Sequence, residues 1–480
     1  MKSVKQEKSP AYPIFQIRAK NLLLREDYVD CLTIFALSLF ALTYVLMLAV
    51  PKIRPFVALV SACIFVIVGS SGTFSEFRYL WTDALRQIDW NVILMIAGTM
   101  GTVYLFIASK MPQLLSDIII SKVHSIKWLV FALSLFAGLI SAFVDNVATV
   151  LMVAPVALAV CKKLNVSPVP AIICISISSN LQGAATLVGD TTSILLAKAA
   201  ELDFLDFFFV ENRLGMFWVT EIGALASACI ILWMFRHEKQ TLNMTDLTQA
   251  EDQFPTWMLC LTVLCLILVS FVPQGAGGLW KPLSSKTING NICMTFFVIG
   301  LVRQIIRDRS FAVVKAAFKE IDYETLLLLT GLFVVIGGIE RAGIIDLIGT
   351  ALAKLSGGSS RGSVFLIYTI VVWVSVLLSA FIDNIPYTAT MLPVMAVLTE
   401  RLSLADGTPV SPNLLYFGLL VGATLGGNLT PVGASANIAG IGILRKEGYT
   451  ISFFQFMKYG VPFTLAAVIT GYLLVWFIWM

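Results

Sequence analysis

Two acidic dipeptides lie where a long apolar run should be driest: Asp145-Asn146 near the middle of 128–160, and Asp383-Asn384 near the middle of 363–398. A third carboxylate, Asp190, sits in a cluster of Gly, Thr and Ser that interrupts the apolar stretch 168–200, and the stretch 411–443 is interrupted in the same way. A carboxylate at the bilayer centre costs at least ~2.5 kcal/mol, and unpaired backbone groups in hydrocarbon add several more. Such features persist where they line a polar cavity. At a helical tip the backbone amides and carbonyls are free to meet ions. Asp145 and Asp383 add negative charge there, while Asn146, Thr149, Asn384, Thr388 and Thr390 offer neutral oxygens and amides. That chemistry suits a hard cation, with sodium expected at Asp145, Asn146, Asp383 and Asn384, or a proton.

In the interrupted stretches, Asn180, Gly183, Thr186, Gly189, Asp190, Thr191 and Thr192 face their repeat counterparts Asn428, Thr430, Gly433, Ser435 and Asn437. Glycine lets backbone approach a ligand, and half-helix N-termini favour anions. A coupling cation and an anionic substrate can both be accommodated. Asp190 has no carboxylate counterpart, because Ala434 occupies the matching place. Against these roles stand plainer ones. Asp at a tip can simply cap a helix, and that is the expected role of Asp89 and Asp322. Gly98, Gly101, Gly331, Gly337 and Gly338 read as close helix packing. Glu340-Arg341 reads as a surface or interhelix ion pair.

The elements that must hold these groups are membrane helices. The 480 residues are 58% apolar, 13% charged and carry a net charge of +4, and the mean hydropathy is +0.88. A soluble domain carries about 25% charged residues, so an ordinary cytosolic enzyme is excluded. No basic face for nucleic acid is evident. The eight cysteines lack paired CxxC spacing and there are only two histidines, so no disulfide framework, metal centre or other cofactor is expected. Apolar runs predict spans near 31–50, 55–72, 90–109, 215–235, 255–273, 287–302, 323–340 and 460–480. The runs 128–160 and 363–398 read as helical hairpins that enter and leave on one side, and 168–200 and 411–443 as broken spans. The expected fold is an all-α polytopic membrane protein of about ten transmembrane helices plus two re-entrant hairpins and two broken helices.

Internal duplication organises these pieces. Ile88-Asp89-Trp90 recurs as Ile321-Asp322-Tyr323, Ser141-Ala142-Phe143-Val144-Asp145-Asn146 as Ser379-Ala380-Phe381-Ile382-Asp383-Asn384, and Thr186-Leu187-Val188-Gly189 as Thr430-Pro431-Val432-Gly433. Three landmarks in one order, 233 to 244 positions apart, mark a duplicated unit. The division is an N-terminal tail 1–30, repeat 1 over 31–240, a linker 241–254 and repeat 2 over 255–480. An odd number of crossings per unit inverts the second repeat, the construction of many secondary transporters. The run Arg303, Arg307, Arg309, Lys315 and Lys319 sets the cytoplasmic side. The side taken by the tail is left open.

At these residues the sequence resembles the ion transporter superfamily, in particular the arsenite permease and NhaD-type sodium/proton antiporter branch that includes the P protein. The motifs are SAFVDNVATVLMVAP at 141–155, NLQGAATLVGDTTSILLA at 180–197, SAFIDNIPYTATMLPV at 379–394 and GGNLTPVGASANIAGIGILRKEGYTISFFQF at 426–456. The resemblance implies a homodimer in the lipid bilayer of the inner cell membrane. Each protomer would have a scaffold and a transport body that moves as an elevator, with one ion site at each hairpin tip and its neighbouring loop. Related members often carry Asp-Pro-Pro-Asn after the loop glycine, whereas Asp190 is followed by Thr191-Thr192-Ser193, nearer the antiporter pattern. Sodium/proton antiport is the leading expectation. Its alternatives are proton- or sodium-coupled transport of a small anion such as arsenite or a di- or tricarboxylate, and a permease working with a separate soluble ATPase. No Walker motif is present in the chain.

Overall fold

The computed structural model describes residues 31–236, 250–272, 286–355, 360–404 and 407–480. The tail 1–30 and residues 241–249 of the expected linker lie outside the described residues. Among the described residues ten α-helices make the first half: α1 (Cys31–Ala49), α2 (Arg54–Ser71), α3 (Trp81–Gln87), α4 (Trp90–Ala108), α5 (Met111–Ser121), α6 (Ile126–Ser141), α7 (Asn146–Lys163), α8 (Val169–Gln182), α9 (Thr191–Ala200) and α10 (Met216–Met234). A two-stranded antiparallel ribbon, β1 (Phe209–Val210) with β2 (Arg213–Leu214), precedes α10. The second half repeats the order as α11 (Phe254–Val269), α12 (Ile288–Asp308), α13 (Ala312–Glu320), α14 (Tyr323–Arg341), α15 (Ile344–Leu355), α16 (Arg361–Ser379), α17 (Asn384–Arg401), α18 (Pro412–Leu420), α19 (Ser435–Lys446) and α20 (Phe453–Trp479). The protein is thus an all-α polytopic membrane protein. Among the described residues nine helices are long and apolar enough to cross a bilayer.

Local chemistry sets the helix starts. Asp89 accepts the Val92 N–H at 3.0 Å and Asp322 accepts the Thr325 N–H at 3.0 Å, so both cap their helices, as expected. Pro170 and Pro412 lie in the first turns of α8 and α18, where a missing N–H costs nothing. The packing is reciprocal between halves: α2 lies on α14 while α12 lies on α4, and α9 meets α17 while α19 meets α7. Glycines permit the first exchange. A Cβ on Gly98 would come within 2.5 Å of the Cys293 backbone on α12, and one on Gly331 within 2.8 Å of Ala58 on α2. Arg341 reaches Asp83 at 3.0 Å across α14 and α3, an interhelix ion pair in which Glu340 takes no part; Glu340 instead accepts from Gln87 Nε2 at 3.4 Å.

Hydropathy misplaced some boundaries. The helix expected over 287–302 continues to Asp308, because Arg303 and Arg307 both pair with Asp252 and a charge ends an apolar run without ending a helix. The last helix starts at Phe453 rather than 460, where Ser452 caps the Gln455 N–H at 3.1 Å. Sequence reading also missed the short helices α3, α5, α13 and α15, which are too brief or too amphipathic to stand out as spans.

Candidate functional site

Each hairpin turns over four residues, 142–145 between α6 and α7 and 380–383 between α16 and α17. Asp145 caps α7 by accepting the Ala148 N–H at 3.1 Å, and Asp383 caps α17 by accepting the Ile385 N–H at 3.1 Å. Each carboxylate keeps further acceptor capacity after capping. The capping role therefore leaves room for a ligand.

The broken spans are built alike. α8 passes through a 3-10 turn at Gly183–Ala185 before a loop that ends at the Asp190 cap of α9. In the second half α18 widens into a π-helical turn, Val421–Leu425, then a 3-10 turn at Gly427–Leu429, before α19. π-turns recur at functional sites because they free backbone groups. Thr186 donates to the Ala142 carbonyl and Thr430 to the Ala380 carbonyl, so each loop is bonded to its own hairpin tip. The loop glycines make that approach possible. A Cβ on Gly189 would lie 2.5 to 2.8 Å from the carbonyl oxygens of Gly183, Ala142 and Ser141, and one on Gly433 would lie 2.5 to 2.8 Å from those of Gly427, Ser379 and Ala380. Two mirrored trios of carbonyl oxygens thus close on the two loops.

A fully buried amide chain joins the two units. Asn146 donates to the Asn180 Oδ1 at 2.9 Å, and Asn180 donates to the Thr424 carbonyl at 2.9 Å and to Asn428 Oδ1 at 3.1 Å. Asn437 also donates to Asn428 Oδ1, at 3.4 Å. A second cross-link runs through Asp190, which is only 4% exposed. It accepts the Thr192 hydroxyl at 2.7 Å, the Thr191 N–H at 2.8 Å and Asn384 Nδ2 of the opposite tip at 3.4 Å, and Thr192 also touches the Thr424 hydroxyl at 3.0 Å. Ser435 donates to Asp383 at 3.5 Å. Three helix N-termini, those of α9, α17 and α19, are thereby tied together.

These bonds bring Asn146, Asn180, Asp190, Thr191, Thr192, Asp383, Asn384, Asn428, Ser435 and Asn437 into one network, while Asp145 bonds the Ala148 N–H, Thr390 bonds Pro386 and Tyr44, and three further oxygens find no partner among the described residues. Thr149 Oγ1, Thr388 Oγ1 and Asn437 Oδ1 are buried without a hydrogen bond, and buried polar atoms in that condition mark places for water or an ion. One pairing differs from expectation. Counted from the loop glycines, Asn180 corresponds to Thr424 and Asn428 to Ala184, so the two asparagines are neighbours rather than repeat mates. Sequence reading missed Thr424, which was hidden in an unbroken apolar run. It also missed Tyr44 and Arg54. The Tyr44 hydroxyl donates to the Pro386 carbonyl at 2.8 Å, and Arg54 Nη1 lies 3.2 Å from Asp383 Oδ2. Nothing in the span pattern indicated that the turn between α1 and α2 reaches the second tip.

The halves differ in exposure. Val188 in the first loop is 5% exposed, while its counterpart Val432 is 50% exposed, and Phe381 on the second tip is 60% exposed. In the first loop every residue from Thr186 to Asp190 is buried, whereas in the second Val432 is exposed while Thr430, Gly433 and Ala434 stay buried.

A family described as CitMHS, citrate transporter, matches residues 44–422. An uncharacterized transporter of Mycobacterium tuberculosis is 30% identical over 455 residues, covering 93% of this chain and 98% of the relative. The P protein of Mus musculus is 25% identical over 464 residues, covering 82% of this chain and 54% of the relative. Among solved structures, MtrF of Neisseria gonorrhoeae, from a class of antimetabolite efflux pumps, aligns with a TM-score of 0.54 at 13% identity, over 88% of this chain and 94% of that one. That likeness is one of fold.

Proposed function

The chain belongs to the citrate transporter family, and from that premise we propose that it is an ion-coupled secondary active transporter whose coupling cation, sodium or a proton, binds at the crossing of the two broken helices. The observation that carries the reading is Asp190, a buried carboxylate bonded to groups of both halves of the chain. The two tips add Asp145 and Asp383, the latter next to the Asn384 that bonds Asp190, and the hairpins and the second broken span carry the three oxygens that find no partner among the described residues. Such a set is net acidic, and an acidic, desolvated set of oxygens selects a cation. Sodium and protons competing for these carboxylates give sodium/proton antiport, the leading chemistry.

Alternating access follows from the repeats. In the proposed cycle the hairpins and broken helices α6–α9 and α16–α19 form a transport body that moves as an elevator against the remaining helices, in a homodimer of the inner cell membrane. Support comes from the unlike exposure of the mirrored loop residues Val188 and Val432, since two mirrored sites in unlike exposure are what a one-sided state requires.

A second reading has its own support. Helix N-termini gathered at one centre attract carboxylates, and the family's description names citrate. In that reading an oxyanion or di- or tricarboxylate binds after the cation has neutralised the acidic set. Proteoliposome flux under imposed gradients, with sodium, proton, arsenite and citrate tested separately, discriminates the readings. Coupled flux is expected to vanish in Asp145→Asn and Asp190→Asn. Unchanged coupled flux in both variants refutes the cation assignment, and citrate uptake that collapses with the sodium or proton gradient selects the second reading.

A further inference from the structure

The two tip carboxylates are mirror positions with unlike neighbours. Among the described residues Asp145 has only its backbone cap, whereas Asp383 also holds the guanidinium of Arg54 at 3.2 Å, with the side chains 21% and 14% exposed. Arg54 is the first residue of α2, and its Nε also donates to the Met47 carbonyl at 3.0 Å, which fixes the guanidinium to the end of α1. The corresponding helix of the second half, α12, begins at Ile288 behind its cap Thr287, and the cation nearest that start, Lys286, is exposed. Tyr44 adds a second hold on the same tip through Pro386 and Thr390. Between these groups lies a water-sized cavity of ≈ 10 Å³ bounded by Tyr44, Arg54, Asp383 and Pro386.

We propose that Arg54 is a tethered cation that occupies the second tip in place of a soluble one. A carboxylate engaged by a guanidinium has given up the oxygen and the charge that a sodium ion would use. While the turn between α1 and α2 is docked, the second tip is neutralised and takes no ion, so the free cation capacity lies at Asp145 and Asp190. When the second hairpin moves away from that turn, Arg54 is withdrawn and Asp383 becomes available. Mirrored tips then bind soluble cations in turn rather than together, and the chain needs one cation fewer than its three carboxylates would take. This rests on the reading of Asp383 as a cation ligand.

The test is equilibrium binding of radioactive sodium to the purified full-length protein in detergent micelles. Arg54→Gln is expected to bind about one more sodium per chain than wild type, or to bind it at least tenfold more tightly. Arg54→Lys keeps the charge and is expected to follow wild type. The gain is expected to disappear in Arg54→Gln combined with Asp383→Asn. No gain in Arg54→Gln, or a gain that survives Asp383→Asn, overturns the proposal. Should Arg54→Gln fail to fold, Tyr44→Phe weakens the same hold and is expected to give a partial gain, and its absence counts against the tether. Loss of wild-type binding in Asp145→Asn reports separately on the cation site itself.

Discussion

Asn180 is the residue through which most of the central polar network passes, and its removal is the sharpest test of that network. Its side chain is fully buried, accepts one hydrogen bond and donates two, to Thr424 and Asn428. Side-chain hydrogen bonds within a bilayer average about 0.6 kcal/mol, against about 1 kcal/mol in soluble cores. Three of them put the cost of Asn180→Ala at roughly 2 to 3 kcal/mol, before any penalty for the partners left unpaired. Asn428→Ala should cost a similar amount, since it loses the same shared bond together with its donation to the Ile177 carbonyl at 3.2 Å. Because the bond between them is counted in both single variants, the double variant should be less destabilised than the sum, by about 0.6 to 1.7 kcal/mol. Equilibrium unfolding in mixed detergent micelles measures all four corners of the cycle. Additivity within about 0.3 kcal/mol would refute the direct contact, and with it the joining of the two units through their amides.

Other outcomes follow from the same geometry. Gly189→Ala and Gly433→Ala each force a methyl onto three backbone carbonyls, none of which can turn aside, so each should cost about 1 to 3 kcal/mol and abolish flux in proteoliposomes. Gly442, in α19, has nothing within 4 Å of its would-be Cβ, so Gly442→Ala should leave flux intact and stabilise the helix by about 0.5 to 1 kcal/mol, read by the same unfolding assay. The Asp83 carboxyl is held below its ordinary 3.8 by the hydrogen bond from Arg341 and then by the Leu80 N–H. A depressed value means the pair contributes above pH 3.8 and is lost as pH falls through the folded value. The stability difference between wild type and Asp83→Asn should therefore close as pH drops below that point, and a constant difference would refute the pairing.

The sequence determined a good deal unaided. Twenty-residue apolar runs disclosed a polytopic all-α membrane protein, and the three duplicated landmarks and polar interruptions pointed to two units with hairpins and broken spans. They did so because hydrocarbon tolerates only self-satisfied helices and makes each polar exception conspicuous. Asp145, Asp190, Asp383 and the asparagines were visible for that reason. Tertiary structure alone decided which of them meet. Asp190 finds Asn384 from 194 residues away, Arg54 finds Asp383 from 329 away, and Thr424, within a π-turn, meets Asn180 and Thr192 of the first half. Those pairings depend on how helices from opposite halves cross, and a linear pattern of hydropathy records how deep a residue sits in the membrane but not which neighbour it sits against.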